Sequence, residues 1–272
     1  FPSKREEEWK FTDLEKVLNE NFKELHNKQQ KKKKPNVQDL KFSHNSITLI
    51  NGKLESFDFK SENLKDENYF KINELHLDQH LNFANELKDN PMQNLNTALH
   101  EGGFYLNIKP DYKFKYPIVI YNYFTGVLKN KIINNSESIT MSKNSKATII
   151  EYLVDESEGN FFKNTFKYIN QEENASLNYY FINKNESNNF FYEFSKVKLS
   201  KNSNFKKYLF SSGIKFGKFE NNINLEGVNS CSELYSGLFL GINDHQEIKT
   251  NIQHSKPSCQ SHQDIKNVLT SG

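Results

Sequence analysis

Apolar residues Phe11, Leu14, Val17, Leu18, Phe22 and Leu25 recur at three- and four-residue steps with charged residues between them, which predicts a helix near the amino-terminal end. Pro2-Ser3 supplies a start, and Glu6, Glu7 and Glu8 fall where a helix dipole favours acids. The pattern decays at Gln29-Gln30 into Lys31–Lys34 and Pro35, which reads as a solvated linker. Ser46–Ile50 and Lys53–Phe57 then flank Asn51-Gly52, a dipeptide suited to a type I′ hairpin turn. Residues 72–100 return to a helical pattern, interrupted at Asn90-Pro91. From Gly102 onward the character changes. Phe104–Ile108, Pro117–Phe124, Ala147–Val154, Leu177–Ile182 and Phe205–Phe210 are alternating or aromatic-rich runs of strand length. The predicted organisation is a helical region with one short hairpin over 1–100 and a mainly β core over 101–272.

The β half contains a repeat. Asn144-Ser145, Asn174-Ala175, Asn202-Ser203 and Asn229-Ser230 each open a strand-like run, at intervals of 30, 28 and 27 residues. A recurring asparagine plus small residue at near-constant period suits a solenoid whose coils stack the same corner. Asparagine tolerates the left-handed backbone of such corners, and stacked amides can form a ladder. A β-sandwich with similar turns is the alternative that the repeat must beat.

Composition narrows the function classes. Thirty-six basic residues against 34 acidic ones leave a formal charge of +2, and Arg5 is the only arginine. Neither a strong field nor bidentate guanidinium reading of nucleic acid is then available. Apolar residues make up only 35% of the chain, but 23 Phe and 13 Tyr bring enough ring area to close a core. No apolar run is long enough to span a membrane, and nothing resembles a secretory segment. Two cysteines cannot build a disulfide scaffold, so the expected setting is a reducing, cytoplasmic one. The chain starts at Phe1 rather than Met, which leaves a removed organelle-targeting segment open.

Four segments carry a family resemblance. Pro2-Ser3-Lys4-Arg5-Glu6-Glu7-Glu8-Trp9-Lys10-Phe11-Thr12-Asp13-Leu14 is similar to an amino-terminal signature of the SufB/SufD family, on its SufD side. Leu95-Asn96-Thr97-Ala98-Leu99 with Gly102-Gly103-Phe104 resembles the segment that leads into that family's core. Glu226-Gly227 with Leu234–Leu240 resembles a glycine-bounded strand of the family, and His254-Ser255-Lys256-Pro257-Ser258-Cys259-Gln260-Ser261 its His-x-Lys-Pro-x-Cys-x-Ser segment. The resemblance implies a right-handed parallel β-helix preceded by an α-helical amino-terminal region. It also implies a scaffold role in iron–sulfur cluster assembly, beside SufB and the ATPase SufC in a SufBCD complex. No stably bound cofactor is implied, only a cluster held transiently with partners. The family pattern continues beyond Thr270-Ser271-Gly272, so the chain is expected to be a fragment lacking carboxy-terminal coils and a helical region.

Candidate chemistry is sparse. His254, Cys259 and His262 form the one Cys/His group in the sequence with metal-like spacing. On one extended strand, however, 254 and 262 share a face and 259 opposes them. Cys231 and Cys259 lie 28 residues apart, one repeat, which would stack them on adjacent coils. There is no phosphate-binding glycine loop, Gly-x-Ser-x-Gly elbow or His-Glu-x-x-His motif, so no enzyme activity is expected. The alternatives are a β-helix carbohydrate-active lyase or hydrolase, which would need clustered carboxylates, and a stand-alone solenoid interaction module.

Overall fold

A strand that buries both faces needs apolar residues on each, and one that turns sharply at its end needs a residue tolerant of positive φ. Both requirements shape this chain, whose computed structural model describes residues 9–10, 14–21, 40–62, 69–75, 90–184 and 187–270. Among the described residues, fifteen strands form two stacked sheets. They are β1 (Asn45–Ile50), β2 (Lys53–Asp58), β3 (Phe70–Glu74), β4 (Gly102–Ile108), β5 (Ile118–Val127), β6 (Lys131–Met141), β7 (Lys146–Glu158) and β8 (Phe161–Gln171). The chain continues through β9 (Ser176–Asn183), β10 (Ser187–Leu199), β11 (Asn204–Ser212), β12 (Ile214–Leu225), β13 (Cys231–Leu240), β14 (His245–His254) and β15 (Gln260–Leu269). One sheet runs β15-β13-β11-β9-β7-β5-β1-β2 and the other β14-β12-β10-β8-β6-β4-β3. From β4 onward successive strands alternate between the sheets and strands two apart pair in parallel, which makes a β-solenoid of about six turns.

The corners follow the repeat. Asn144, Asn174, Asn202 and Asn229 all have φ between 55° and 60°. Each side-chain Nδ2 donates to the Oδ1 one coil earlier: Asn229 to Asn202 at 3.2 Å, Asn202 to Asn174 at 3.0 Å, Asn174 to Asn144 at 2.8 Å. Asn144 closes the ladder on the Asp111 carboxylate at 2.6 Å. The residue after each corner, Ser145, Ala175, Ser203 or Ser230, is buried where a large side chain would not fit the bend.

The expected α-helical amino-terminal region is not supported. Among the described residues before 100 there are only two α-helices of eight residues, α1 (Leu14–Asn21) and α2 (Pro91–Ala98), and residues 45–74 contribute three strands. The β1–β2 hairpin forms as the Asn51-Gly52 signal predicts, with φ 50° and 80° at the two turn residues. Ile72 belongs to β3, not to a helix: its alternation with Phe70 fits the antiparallel pairing to β4, which outweighs a helical spacing to Leu75. Phe59, Phe70 and Phe114 close this mouth of the solenoid, with Phe59 and Phe70 stacked at 4.1 Å.

The outer face of the seven-stranded sheet is covered by the chain itself. Trp9, Leu14, Leu18 and Met92 pack on Phe162, Phe166, Phe190, Tyr192, Phe194 and Phe216. Trp9 stacks on Tyr192 at 5.9 Å, and the Lys218 ammonium lies 4.6 Å from the Trp9 ring centre. Asn90 caps α2 by accepting from the backbone N–H groups of Met92 and Gln93. The Leu-Asn-Thr-Ala-Leu segment has a physical reason: buried Asn96 donates to the carbonyls of Asn135 and Asn164 and accepts from Ser136 Oγ. Beyond it the backbone passes so close to β6 that a Cβ on Gly103 would lie 1.7 Å from the Ser136 carbonyl oxygen. No described helix is long and apolar enough to cross a membrane.

Candidate functional site

Alternate residues of each strand face the interior, and in-register parallel pairing stacks equivalent positions of successive coils. Most such positions are apolar, but a block of them is charged. Glu137 on β6, Glu151 on β7, Lys163 and Lys167 on β8, Glu193 on β10 and Lys207 on β11 all point inward and are essentially excluded from solvent. Three ammonium groups therefore face three carboxylates.

Lys167 is the hub. Its Nζ is hydrogen-bonded to Glu151 and, at 2.7 Å, to Glu193, and lies 3.6 Å from Glu137. Glu151 also accepts from Tyr179 Oη at 2.6 Å and Asn122 Nδ2 at 2.6 Å, with Lys163 at 3.5 Å. Glu193 accepts from Lys207 at 2.9 Å and Ser195 Oγ at 3.1 Å. Lys207 further donates to Asn221 Oδ1 at 2.8 Å. Aromatic faces complete the surroundings, with the Lys167 ammonium 5.0 Å from the Tyr179 ring centre and 5.5 Å from that of Phe181.

The carboxylates are not equivalent. Burial by itself raises a carboxyl, and only nearby cations or donated hydrogen bonds reverse that. For Glu151, burial is outweighed by the charges of Lys167 and Lys163, and its carboxyl is held below the usual range. For Glu193, the charges of Lys167 and Lys207 likewise outweigh burial, and its carboxyl is held below the usual range. Glu137 has only the Lys167 charge at ion-pair distance and a long bond from Asn135 at 3.4 Å, and its Oε2 has no hydrogen-bond partner. Burial therefore dominates, and its carboxyl is pushed up to about 7. Lys167 is held well above its ordinary value because the three carboxylates outweigh its burial, whereas burial lowers Lys207. No motif marks this cluster in the sequence. Its trace is spacing: Glu137 and Lys167 each precede a corner asparagine by seven residues, on the same repeat.

The residues singled out from sequence lie elsewhere and apart. His254 ends β14, where its Nε2 meets Ser261 Oγ at 3.0 Å. Cys259 occupies the small-residue position after a corner, its Sγ 3.4 Å from Ser230 Oγ and 3.3 Å from the Gly227 carbonyl oxygen. His262 is paired with Glu233 across β13–β15, with its ring 5.7 Å from that of Tyr235. Cys231 pairs with Gln260, so Cys259 stacks beside Ser230 and not beside Cys231; both thiols are free. Burial, with Glu233 nearby, pushes the Cys231 thiol up. Among the described residues no three His, Cys, Asp or Glu side chains come together in a group that could hold a metal ion.

The exposed carboxylates are dispersed. Glu173 is bridged at the corner by Lys143 at 3.1 Å and Lys201 at 3.2 Å, and Asp155 is engaged by Ser157 and Asn189. On the outer face of the eight-stranded sheet, Tyr180, Tyr208 and Tyr235 stack coil on coil at 4.5 and 5.1 Å.

A comparison with the curated proteins finds no match. The family model described as "SUF system FeS cluster assembly, SufBD core domain" matches residues 124–272, more than half of the chain, and the match covers β6–β15 with the corner ladder and the charged interior. With its parallel solenoid and this match, the chain belongs to the SufB/SufD family of SUF-system iron–sulfur cluster assembly proteins.

Proposed function

We propose that the chain is a SufD-like, non-catalytic scaffold subunit, acting with SufB and SufC homologues in the cytoplasm. The observation that carries this reading is the family match over 124–272 joined to the Glu8-Trp9-Lys10-Phe11-Thr12 segment, whose Trp9 anchors the covering of the seven-stranded sheet. ATP hydrolysis belongs to the SufC partner, and the iron–sulfur cluster is cargo, held only while the partners are assembled.

The dispersal of chemistry supports a scaffold more than an enzyme. An acid–base glycosidase or lyase needs two carboxyl groups facing an open groove. Here Glu137, Glu151 and Glu193 are sealed in with lysines, and Glu173 and Asp155 are held at corners and turns. No described feature favours the carbohydrate-active alternative.

Co-expression with the SufB and SufC homologues of the same source tests the proposal. The expected result is a complex of all three chains that builds a cluster from ferrous iron and sulfide, while this chain alone holds none. Failure to associate with either partner would overturn the scaffold reading. A stable cluster on the isolated chain would instead make it SufB-like.

A further inference from the structure

Register places Tyr180, Tyr208 and Tyr235 directly opposite one another on β9, β11 and β13. Their chain neighbours Tyr179, Leu209 and Leu234 are buried in the interior, so the three phenols lie on the outer face of the eight-stranded sheet, where each is half-buried. The rings are nearly parallel, tilted by 6° between Tyr180 and Tyr208 and by 13° between Tyr208 and Tyr235, with centres 4.5 and 5.1 Å apart. Beside them on the same face Ile182 is paired with Phe210, so packing here does not by itself ask for a hydroxyl.

The hydroxyls of this ladder have proton acceptors. Tyr235 Oη donates to Glu233 Oε2 at 2.7 Å, and Lys206 Nζ lies 2.9 Å from the other oxygen of that carboxylate. The hydroxyl of Tyr180 is bonded to that of Tyr208. Hydrogen bonds from Lys206 and Tyr235 hold the Glu233 carboxyl below its usual range, so it stands as an ionised base, and its bond in turn pushes the Tyr235 phenol up. A phenol is a weak acid, but one that has lost an electron is a strong acid. A carboxylate already at hydrogen-bond distance takes the proton as the electron leaves.

We propose that the ladder is an oxidative modification site, at which one-electron oxidants derived from peroxide join stacked tyrosines of adjacent coils into dityrosine. Ferrous iron, the metal that this family's assembly reaction handles, generates such oxidants. It passes one electron to hydrogen peroxide and gives ferric iron, hydroxide and hydroxyl radical. Each hydroxyl radical takes one electron and one proton from a phenol and leaves as water; at Tyr235 the proton rests first on Glu233. Two phenoxyl radicals on neighbouring coils then pair their electrons in one C–C bond between ring carbons beside the oxygens. The hydrogens on those carbons move to the oxygens and restore both phenols. In sum, two tyrosines and two hydroxyl radicals give one dityrosine and two waters. The bond ties Tyr180 to Tyr208 or Tyr208 to Tyr235, across 28 or 27 residues of chain. It needs only this chain and the oxidant, so its test stands apart from assembly with partners.

Oxidation of the dilute, folded chain by photogenerated tris(bipyridine)ruthenium(III), and separately by ferrous iron with hydrogen peroxide, tests the proposal. Monomer is expected to lose two hydrogens in mass and gain dityrosine fluorescence, and digestion should link the Tyr208 peptide to that of Tyr180 or Tyr235. Absence of the link with both oxidants overturns the site, and its absence with iron and peroxide alone overturns the oxidant assigned to it. A link mapped instead to Tyr69 and Tyr112, whose rings are 4.9 Å apart but tilted by 41°, would show that the parallel ladder is not what directs coupling. Tyr208→Phe keeps the stacked ring and removes the shared phenol, so the cross-link should be lost; undiminished dityrosine would overturn the assignment. Glu233→Gln should slow the Tyr208–Tyr235 link several-fold relative to the Tyr180–Tyr208 link. An unchanged ratio would exclude Glu233 as the proton acceptor.

Discussion

Within the interior cluster Lys167 holds Glu151 and Glu193 by direct hydrogen bonds and Glu137 at longer range, and a buried ion pair that loses one member leaves an unpaired charge. Lys167→Met should therefore cost about 3–5 kcal/mol in urea unfolding. Lys163→Met, which removes a contact at 3.5 Å, should cost clearly less. Equal losses would sink the assignment of Lys167 as the hub. The pH dependence has a definite sign. Glu137 keeps its proton in the folded chain up to about 7 but loses it near 4.5 when unfolded. Stability from this group is present below 4.5 and declines as pH rises to about 7, by on the order of 3 kcal/mol. Glu137→Gln should flatten that decline, read from denaturant midpoints across the window. Glu151 and Glu193 act oppositely, and their contribution fades as pH falls below the ordinary carboxylate range.

The corner is the recurrent element, and two effects meet in it: a left-handed backbone and a side-chain ladder. Asn174 stands mid-ladder at φ 58°, donating to Asn144 and accepting from Asn202. Asn174→Gly keeps the backbone free and loses only the amides, a cost of about 1 kcal/mol. Asn174→Ala adds left-handed strain of roughly 1–2 kcal/mol, so it should be the more damaging substitution. If thermal unfolding ranks them the other way, left-handed strain does not decide the choice of asparagine at this corner.

At the scale of the molecule, one sheet needs a cover and the chain supplies it. Phe166, Phe190, Phe194 and Phe216 lie under Trp9, α1 and α2, and each ring would expose roughly 2–3 kcal/mol of apolar area if uncovered. The amino-terminal segment should therefore unfold with the solenoid. Trp9 is the only tryptophan, so its emission reports that segment while circular dichroism reports the sheets. Coincident denaturant transitions are expected. A red shift well before loss of the β signal would make the cover a separate unit.

Sequence alone determined the corners and the hairpin and pointed to the solenoid over a β-sandwich, because a left-handed turn constrains residue type locally and a stacked fold repeats that constraint every coil; the parallel pairing of the structure decided between the two. Asn144, Asn174, Asn202 and Asn229 were legible for this reason, as was Asn51-Gly52. The amino-terminal half was less legible. Phe70 and Ile72 become strand only by pairing with β4, and a partner distant in sequence leaves no local period. The charged interior was decided wholly by tertiary structure. Lys163, Lys167 and Lys207 look like ordinary solvated lysines along the chain, since alternation cannot say which face of a strand is inside when a second layer covers the other. Coil-on-coil register turned them inward and brought three carboxylates to meet them. The same register separated Cys231 from Cys259 by one position, a distance that counting residues per repeat could not resolve.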